Sequence, residues 1–273
     1  MFSARDADEV DRIVRTVADQ EIMPRFGRLT AADIREKAPG DLVTIADRAA
    51  EEALSVALCS LVPGSVVVGE EAVGADPRVL HALAGDAPVW VIDPIDGTHN
   101  YAYDNPRFAT LVALCHRGEL LASWTYAPAL DLMATARVGA GAYVNGVRVR
   151  VAAAPSGLRH LDLCTAQQKW WTAADRVRFN AMCHAGVSLC FFDTSGLEYI
   201  ELATGRRAAM VLTWEFPWDH AAGLLLHAEA GGVSMARDGR RFTLAGGNAL
   251  PFVVAPDEAC AAALHATFAD GER

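Results

Sequence analysis

From about Trp218 to Ala230, inside the stretch PWDHAAGLLLHAEAGG, the sequence has the length of a helix that is apolar nearly all round. A surface helix of a globular protein carries one apolar stripe; a helix without a polar face belongs in an interior. Gly231-Gly232 closes it. Whatever the chain folds into must therefore enclose this helix. The means are present: the chain has 273 residues, 52% of them hydrophobic and 21% charged, enough for a sizeable core and the opposite of a disordered composition. At roughly 150 residues per domain, the length suits one large domain or two fused halves.

Periodicity supplies the other elements. Val10, Ile13, Val14, Val17 and Ile22 have helical spacing over residues 3–22, and Pro24 ends the run. Thr44 with Asp47 three residues on is a capping-box start for a helix running to about Leu61. SVVVGEE reads as a short β-branched strand, 76–84 as weakly helical, and Val89–Ile92 as a buried strand. Residues 107–151 alternate as strands, with turns at Arg117-Gly118, Ala127-Pro128 and Asn145-Gly146. Strands follow at LDLCTA, VSLCFF, AAMVLT and NALPFVVAP, with helices at Ala173–Cys183, near 196–204 and at 257–268. The mixture lacks the regular βαβ alternation of a doubly wound fold. AAAPSG (152–157) is the expected joint, dividing the chain into an α+β half at 1–152 and an α/β half at 153–273. Gly139-x-Gly141 is no dinucleotide loop, since Val144 stands where the third glycine belongs and no helix follows.

The charge balance excludes some functions. Lys and Arg number 24 against 34 Asp and Glu, a net charge of −10, whereas nucleic-acid and anionic-membrane binders need a basic footprint. No apolar run approaches the ~18 residues of a membrane span. The start lacks the basic and apolar regions of a signal peptide. The six cysteines form no C-x-x-C pair and are expected as free thiols of a cytoplasmic protein.

The chemistry concentrates in VWVIDPIDGTHNY (89–101). A core strand runs straight into Asp93 and Asp96, with Pro94 and Ile95 between them and Gly97-Thr98 behind. Further acids sit at other element ends: Asp47 in a first helical turn, Glu70 and Glu71 after a strand, Asp219 opening the buried helix. Singly, each has an ordinary use as a cap, a dipole partner or a turn residue. Together they are costly, because two carboxylates ~4 Å apart repel by about 4 kcal/mol at an effective dielectric near 20. No Lys or Arg lies within five residues of Asp93, so the neutraliser must come from elsewhere. Carboxylates with a backbone carbonyl are the ligand set of hard cations, Mg2+ above all. An EF-hand loop fails: Pro94 and Ile95 would fill its second and third positions and Asp104 its twelfth.

GEE at 69–71, WVIDPIDGTHNY at 90–101 and PWDHAAG at 217–223 resemble the signatures of the inositol monophosphatase family of metal-dependent, lithium-sensitive phosphatases. DLVTIAD (41–47), GAGAYVNG (139–146) and EAGG (229–232) resemble further blocks in family order. The resemblance implies a mixed α/β, layered αβαβα sandwich and a homodimer. It implies a first Mg2+ on Glu70, Asp93 and the Ile95 carbonyl, a second on Asp93, Asp96 and Asp219, and a weaker third on Glu70 and waters. Thr98 and Asp47 would orient the attacking water, and the N–H groups of Gly97 and Thr98 would cradle the phosphate. The implied reaction is hydrolysis of a small phosphorylated polyol or sugar. Histidinol phosphate and a 3′-phosphoadenosine nucleotide are alternative substrates, and a catalytically idle binding or regulatory protein on the same fold is the rival of another class.

Some positions depart from the pattern. Seven residues before Asp219, where an acid contacting inositol hydroxyls is expected, stands Leu212, with Glu215 out of register. Asp193 is the remaining candidate for substrate contact. Lys37 is offset by one position from the family's lysine near the active site, and His99 stands where a small residue is usual. Trp170, Trp171, Trp214 and Phe216 are expected in core or interface, and His220 as a core histidine.

Overall fold

The computed structural model describes residues 2–154 and 156–271. The first half of the chain gives α1 (Ala4–Val17), the hairpin β1 (Ile34–Ala38) and β2 (Asp41–Thr44), α2 (Ile45–Leu61), β3 (Val66–Gly69) and α3 (Glu70–Ala75). It continues with β4 (Pro88–Asp96), α4 (Thr98–Ala102), β5 (Ala109–His116), β6 (Glu119–Ala127), β7 (Leu132–Arg137), β8 (Gly141–Val144) and β9 (Val147–Val149). Then come β10 (Asp162–Ala166), α5 (Ala173–His184), β11 (Ser188–Phe192), α6 (Ser195–Ala203), β12 (Ala209–Leu212), α7 (Pro217–Glu229), β13 (Val233–Ala236), β14 (Phe252–Ala255) and α8 (Glu258–Gly271).

Two sheets organise the molecule. Strands β3 to β9 lie in chain order in a seven-stranded sheet, with β3 and β4 parallel and the rest antiparallel. The second sheet has five strands in the order β11-β10-β12-β14-β13. Strand alternation sends successive β4 side chains to opposite faces. Val89 and Val91 join Leu197, Ile200, Ala221 and Leu225 from α6 and α7. Trp90 and Ile92 join Val10, Val14, Leu54 and Leu58 from α1 and α2. The other flanks of α6 and α7, through Tyr199, Leu202 and Leu224, meet Met210, Phe252 and Val254 of the five-stranded sheet. The far face of that sheet packs on Phe179 and Met182 of α5 and Leu264 and Phe268 of α8. The result is helices, sheet, helices, sheet, helices, the expected αβαβα sandwich, with α7 in its middle layer. That position explains why α7 has no polar face.

The two middle helices touch at Gly223. A Cβ built there would lie 2.1 Å from the ring of Tyr199, so only glycine permits the approach.

Several expected boundaries moved. The strand at 89–92 runs on as β4 through Asp96, with a register shift between Asp93 and Asp96 instead of a turn after Ile92. Glu70 and Glu71 open α3 instead of closing a strand. The last turn of the N-terminal helix widens into a π-turn at Ala18–Ile22. The hairpin β1–β2 and the edge strand β13 were not expected; both are short and carry mixed burial, so neither leaves a period in the sequence. The described residues of 152–157 form no helix or strand.

Candidate active site

The site begins where β4 bends. Between Asp93 and Asp96 the pairing with β5 skips, the mark of a bulge that re-aims side chains. Ile95 buries its side chain in the core under α2, while its carbonyl accepts the Thr98 hydroxyl at 2.9 Å. Gly97 then takes a left-handed conformation, φ +87°, and a Cβ there would meet Thr194 Oγ1 at 2.6 Å. Both facts require glycine. Thr98 opens α4 directly behind it.

Asp47 arrives from the first turn of α2. Its Oδ2 accepts the N–H and hydroxyl of Thr44, closing the expected capping box. Its Oδ1 faces the Thr98 hydroxyl at 3.2 Å. Burial pushes the Asp47 carboxyl up to about 7, against the Thr44 hydrogen bonds. One helical turn on, Glu51 accepts the N–H groups of Glu71 and Ala72, each at 2.8 Å, and so caps α3. Burial raises Glu51 to about 7 as well. Gly69 is forced by this contact, since a Cβ there would lie 2.3 Å from the Glu51 carboxyl carbon. Glu51 was not singled out in the sequence. Its signal was an acid on the buried face of α2, one turn from Asp47 and between Ala50 and Leu54.

Glu70 is raised by burial, opposed by Lys37, whose Nζ lies 2.6 Å from Glu70 Oε1 and 3.0 Å from Glu71 Oε1. Lys37 thus reaches the site in spite of its offset, carried by β1. Asp96 accepts the N–H of Ser195 at 3.1 Å and of Gly196 at 2.6 Å, at the N-terminus of α6. Asp219, in the first turn of α7, accepts the Trp214 indole N–H at 2.6 Å. The Ser195 hydroxyl donates to the Asp219 carbonyl at 3.1 Å, joining the two helix starts. Asp93 is fully buried and raised well above the carboxylate range, first by burial and then by Glu70, Asp96, Asp219 and Asp47. Its Oδ1 has no hydrogen-bond donor among the described residues.

Glu70, Asp93, Ile95, Asp96, Gly97, Thr98, Asp193 and Asp219 line one cleft of about 1300 Å³. Asp47 stands behind Thr98. Asp193 is at the exposed rim, within 3.5 Å of the Gln167 amide. Leu212 is buried in the five-stranded sheet, and Glu215 turns away to Gly247 and Asn248, so neither offers an acid to the cleft. His220 is a core histidine, held by the Trp214 carbonyl and lowered by burial to about 3. The aromatic residues divide. Trp171 stacks on Phe179 in the core, whereas Trp170, Trp214 and Phe216 line the cleft. Thr194 to Gly196 and Trp214 are site residues that the sequence did not announce; the partners of Thr194 to Gly196 lie far away in the chain, and Trp214, five residues before Asp219, belongs to no local pattern.

The donor set fits a hard cation. It consists of carboxylates and a backbone carbonyl, without thiolate or imidazole, and it contains a buried oxygen, Asp93 Oδ1, that needs a positive partner. As the side chains stand, no three His, Cys, Asp or Glu among the described residues have the spacing of a metal centre. In this arrangement Glu70 is turned onto Lys37, Asp96 onto α6 and Asp219 onto Trp214.

Known proteins resemble this chain throughout. The model of the inositol monophosphatase family matches residues 5–270. The inositol monophosphatase of Dictyostelium discoideum is 33% identical over 208 residues, 73% of this chain and 74% of that protein. A fructose-1,6-bisphosphatase/inositol-1-monophosphatase of Aquifex aeolicus is 30% identical over 228 residues, 82% and 83% of the two chains. The solved extragenic suppressor protein suhB of Bartonella henselae superposes with a TM-score of 0.80 at 25% identity, over 96% of this chain and 98% of that one.

Proposed function

The chain belongs to the inositol monophosphatase family and is a phosphoric monoester hydrolase, and from that premise we propose that it cleaves a small phosphate monoester by Mg2+-dependent attack of water. Glu70, Asp93, the Ile95 carbonyl, Asp96 and Asp219 would hold two to three ions. Such ions supply positive charge against the phosphate and leaving oxygens and make water more acidic. The observation that carries this reading is Asp93: a carboxylate with an unpaired buried oxygen, surrounded by other acids, at the floor of an open cleft.

The chain's own residues supply position and proton traffic. The Thr98 hydroxyl has two acceptors, the Ile95 carbonyl and Asp47 Oδ1, and one proton. Pointed at either, its oxygen keeps a lone pair for a water in the cleft. Asp47, with Oδ2 taken by Thr44, has only Oδ1 left to receive a proton relayed through Thr98. The Gly97 and Thr98 N–H groups, at the start of α4, would hold a phosphate oxygen. No serine or cysteine nucleophile is invoked; in-line attack by water needs positioning and charge alone.

The names of relatives point to an inositol or fructose phosphate, hence to a phosphorylated polyol or sugar. Histidinol phosphate and a 3′-phosphoadenosine nucleotide are the alternatives that carry an aromatic ring. A homodimer in the cytoplasm, sensitive to lithium, completes the reading. The test is phosphate release from inositol 1-phosphate, histidinol phosphate, fructose 1,6-bisphosphate and 3′-phosphoadenosine 5′-phosphate, each with Mg2+ and with added Li+. Release from at least one, abolished by Asp96→Asn, supports the proposal. No release from any ester would leave an idle binding protein, and full activity of Asp96→Asn would remove the site assignment.

A further inference from the structure

We infer that the alcohol released from the phosphate ester carries an aromatic ring, and that the face of Phe216 holds it. The inference rests on the phosphomonoesterase reading and, within it, selects the aromatic alternatives over a polyol or sugar.

The cleft is larger than the ~300–1000 Å³ of ordinary small-ligand pockets, and the carboxylates occupy only its floor. Its upper wall is aromatic. Phe216 is 54% exposed, immediately before Pro217 at the start of α7. One ring face lies parallel to Trp218, at 5.1 Å between centroids and an interplanar angle of 4°. Trp218 is itself anchored in the core between α7 and the seven-stranded sheet. Phe216 is thus a cleft-lining ring backed on one face by Trp218. Trp170 stands in the same cleft, 49% exposed, its indole edge over Gly40 and Lys169 5.1 Å above its ring. Two large apolar faces kept wet at a reactive site cost stability unless a ligand covers them.

Recognition of a polyol would require acceptors for several hydroxyls. The acids near this wall are otherwise engaged: Glu215 binds Asn248, Asp175 caps α5 and pairs with Arg178, and Leu212 offers none. Asp193 remains at the rim, and Asp41 and Glu52 also line the cleft. Stacking is what the wall can offer, and a ring is what stacking selects.

The experiment compares 2-phenylethyl phosphate with its ring-saturated counterpart, 2-cyclohexylethyl phosphate, and with glycerol 2-phosphate, using the full chain with Mg2+. The phenyl ester is expected to have the highest kcat/KM. Phe216→Ala should raise its KM roughly two- to tenfold with kcat unchanged and leave glycerol 2-phosphate within about twofold. Phe216→Tyr should restore it. Equal use of the three esters, preference for glycerol 2-phosphate, or a Phe216→Ala effect shared by all three would overturn the inference. If no ester is hydrolysed, the phosphomonoesterase reading fails by itself, and binding of phosphonates decides the ring. By calorimetry, 2-phenylethylphosphonate binding more tightly than ethylphosphonate in a Phe216-dependent manner supports the stacking wall. Equal or absent binding of the two refutes it.

Discussion

Gly196 donates its N–H to Asp96 at 2.6 Å, linking residues one hundred positions apart at the floor of the cleft. Ser195 adds a second N–H at 3.1 Å. The start of α6 thereby presents its partial positive charge to one member of a crowd of acids. Asp219 has a comparable arrangement with the Trp214 indole, and Glu70 with Lys37. Asp93 Oδ1 has none among the described residues, and the first prediction concerns it.

Asp93→Asn removes a buried acid whose ionisation burial and four other acids oppose. In EDTA at pH 8 the variant is expected to melt higher than the parent, by about 2–4 °C for each kcal/mol of repulsion relieved in a chain of this size. With Mg2+ it should lose phosphate release by more than about 10²-fold. Scanning calorimetry and an activity assay check the two halves. A lower melting point in EDTA would show that Asp93 is not under electrostatic strain.

Thr98 and Asp47 share one hydrogen bond at 3.2 Å and are expected to act as one unit. Thr98→Ala and Asp47→Asn should each lower kcat by about 10²-fold. The double variant should be little worse than the poorer single one, because the second change removes nothing that remains. Additive losses in a kinetic double-mutant cycle would separate their roles.

Glu51 and Gly69 should be coupled in stability. Glu51→Ala strips the Glu71 and Ala72 N–H groups of their acceptor, at a cost of about 1–3 kcal/mol. Gly69→Ala forces a methyl into the Glu51 carboxyl, also costing about 1–3 kcal/mol. Combined, the two should cost less than their sum, since the small residue at 51 makes room for the methyl. Urea unfolding of the four proteins measures the coupling.

His227 should set part of the acid sensitivity. Burial lowers its pKa from the ordinary 6.5 to about 4. Above pH 6.5 the ring is neutral in both the folded and the unfolded chain and contributes nothing. Below that, the unfolded chain takes up a proton that the folded one refuses, so stability falls as pH drops from 6.5 towards 4. At pH 5 the loss is about 2 kcal/mol. His227→Gln should flatten the dependence of unfolding free energy between pH 7 and 5 by that amount; an unchanged slope would contradict the lowered pKa.

The layers could be read in advance where period and burial agree. Trp90 and Ile92 against Val89 and Val91 define a strand between two covered faces, and the all-apolar α7 requires the middle layer. The Thr44–Asp47 capping box placed the start of α2 because a cap is a contact over three residues. The end of β4 was misread because Pro94 looks the same to a local pattern in a turn and in a bulge; only the pairing with Leu111 and Ala109 on β5 decides. The acids of the cleft were legible as residue types at element ends. Their donors were not. Ser195 and Gly196 for Asp96 and Lys37 for Glu70 are chosen by how separate elements meet, while Trp214, only five residues before Asp219, carries no pattern that says what its indole N–H meets. Lys37 is 33 residues from Glu70, and no spacing rule reaches that far.

Gly223 lies one turn along α7 from Asp219, and Tyr199 lies one turn along α6 from the residues that grip Asp96. The gap between those two aspartates is therefore ruled by a missing methyl group at a site that touches neither of them. In a survey of tolerated replacements, position 223 should be as unforgiving as the aspartates themselves, although no atom of it ever meets the substrate.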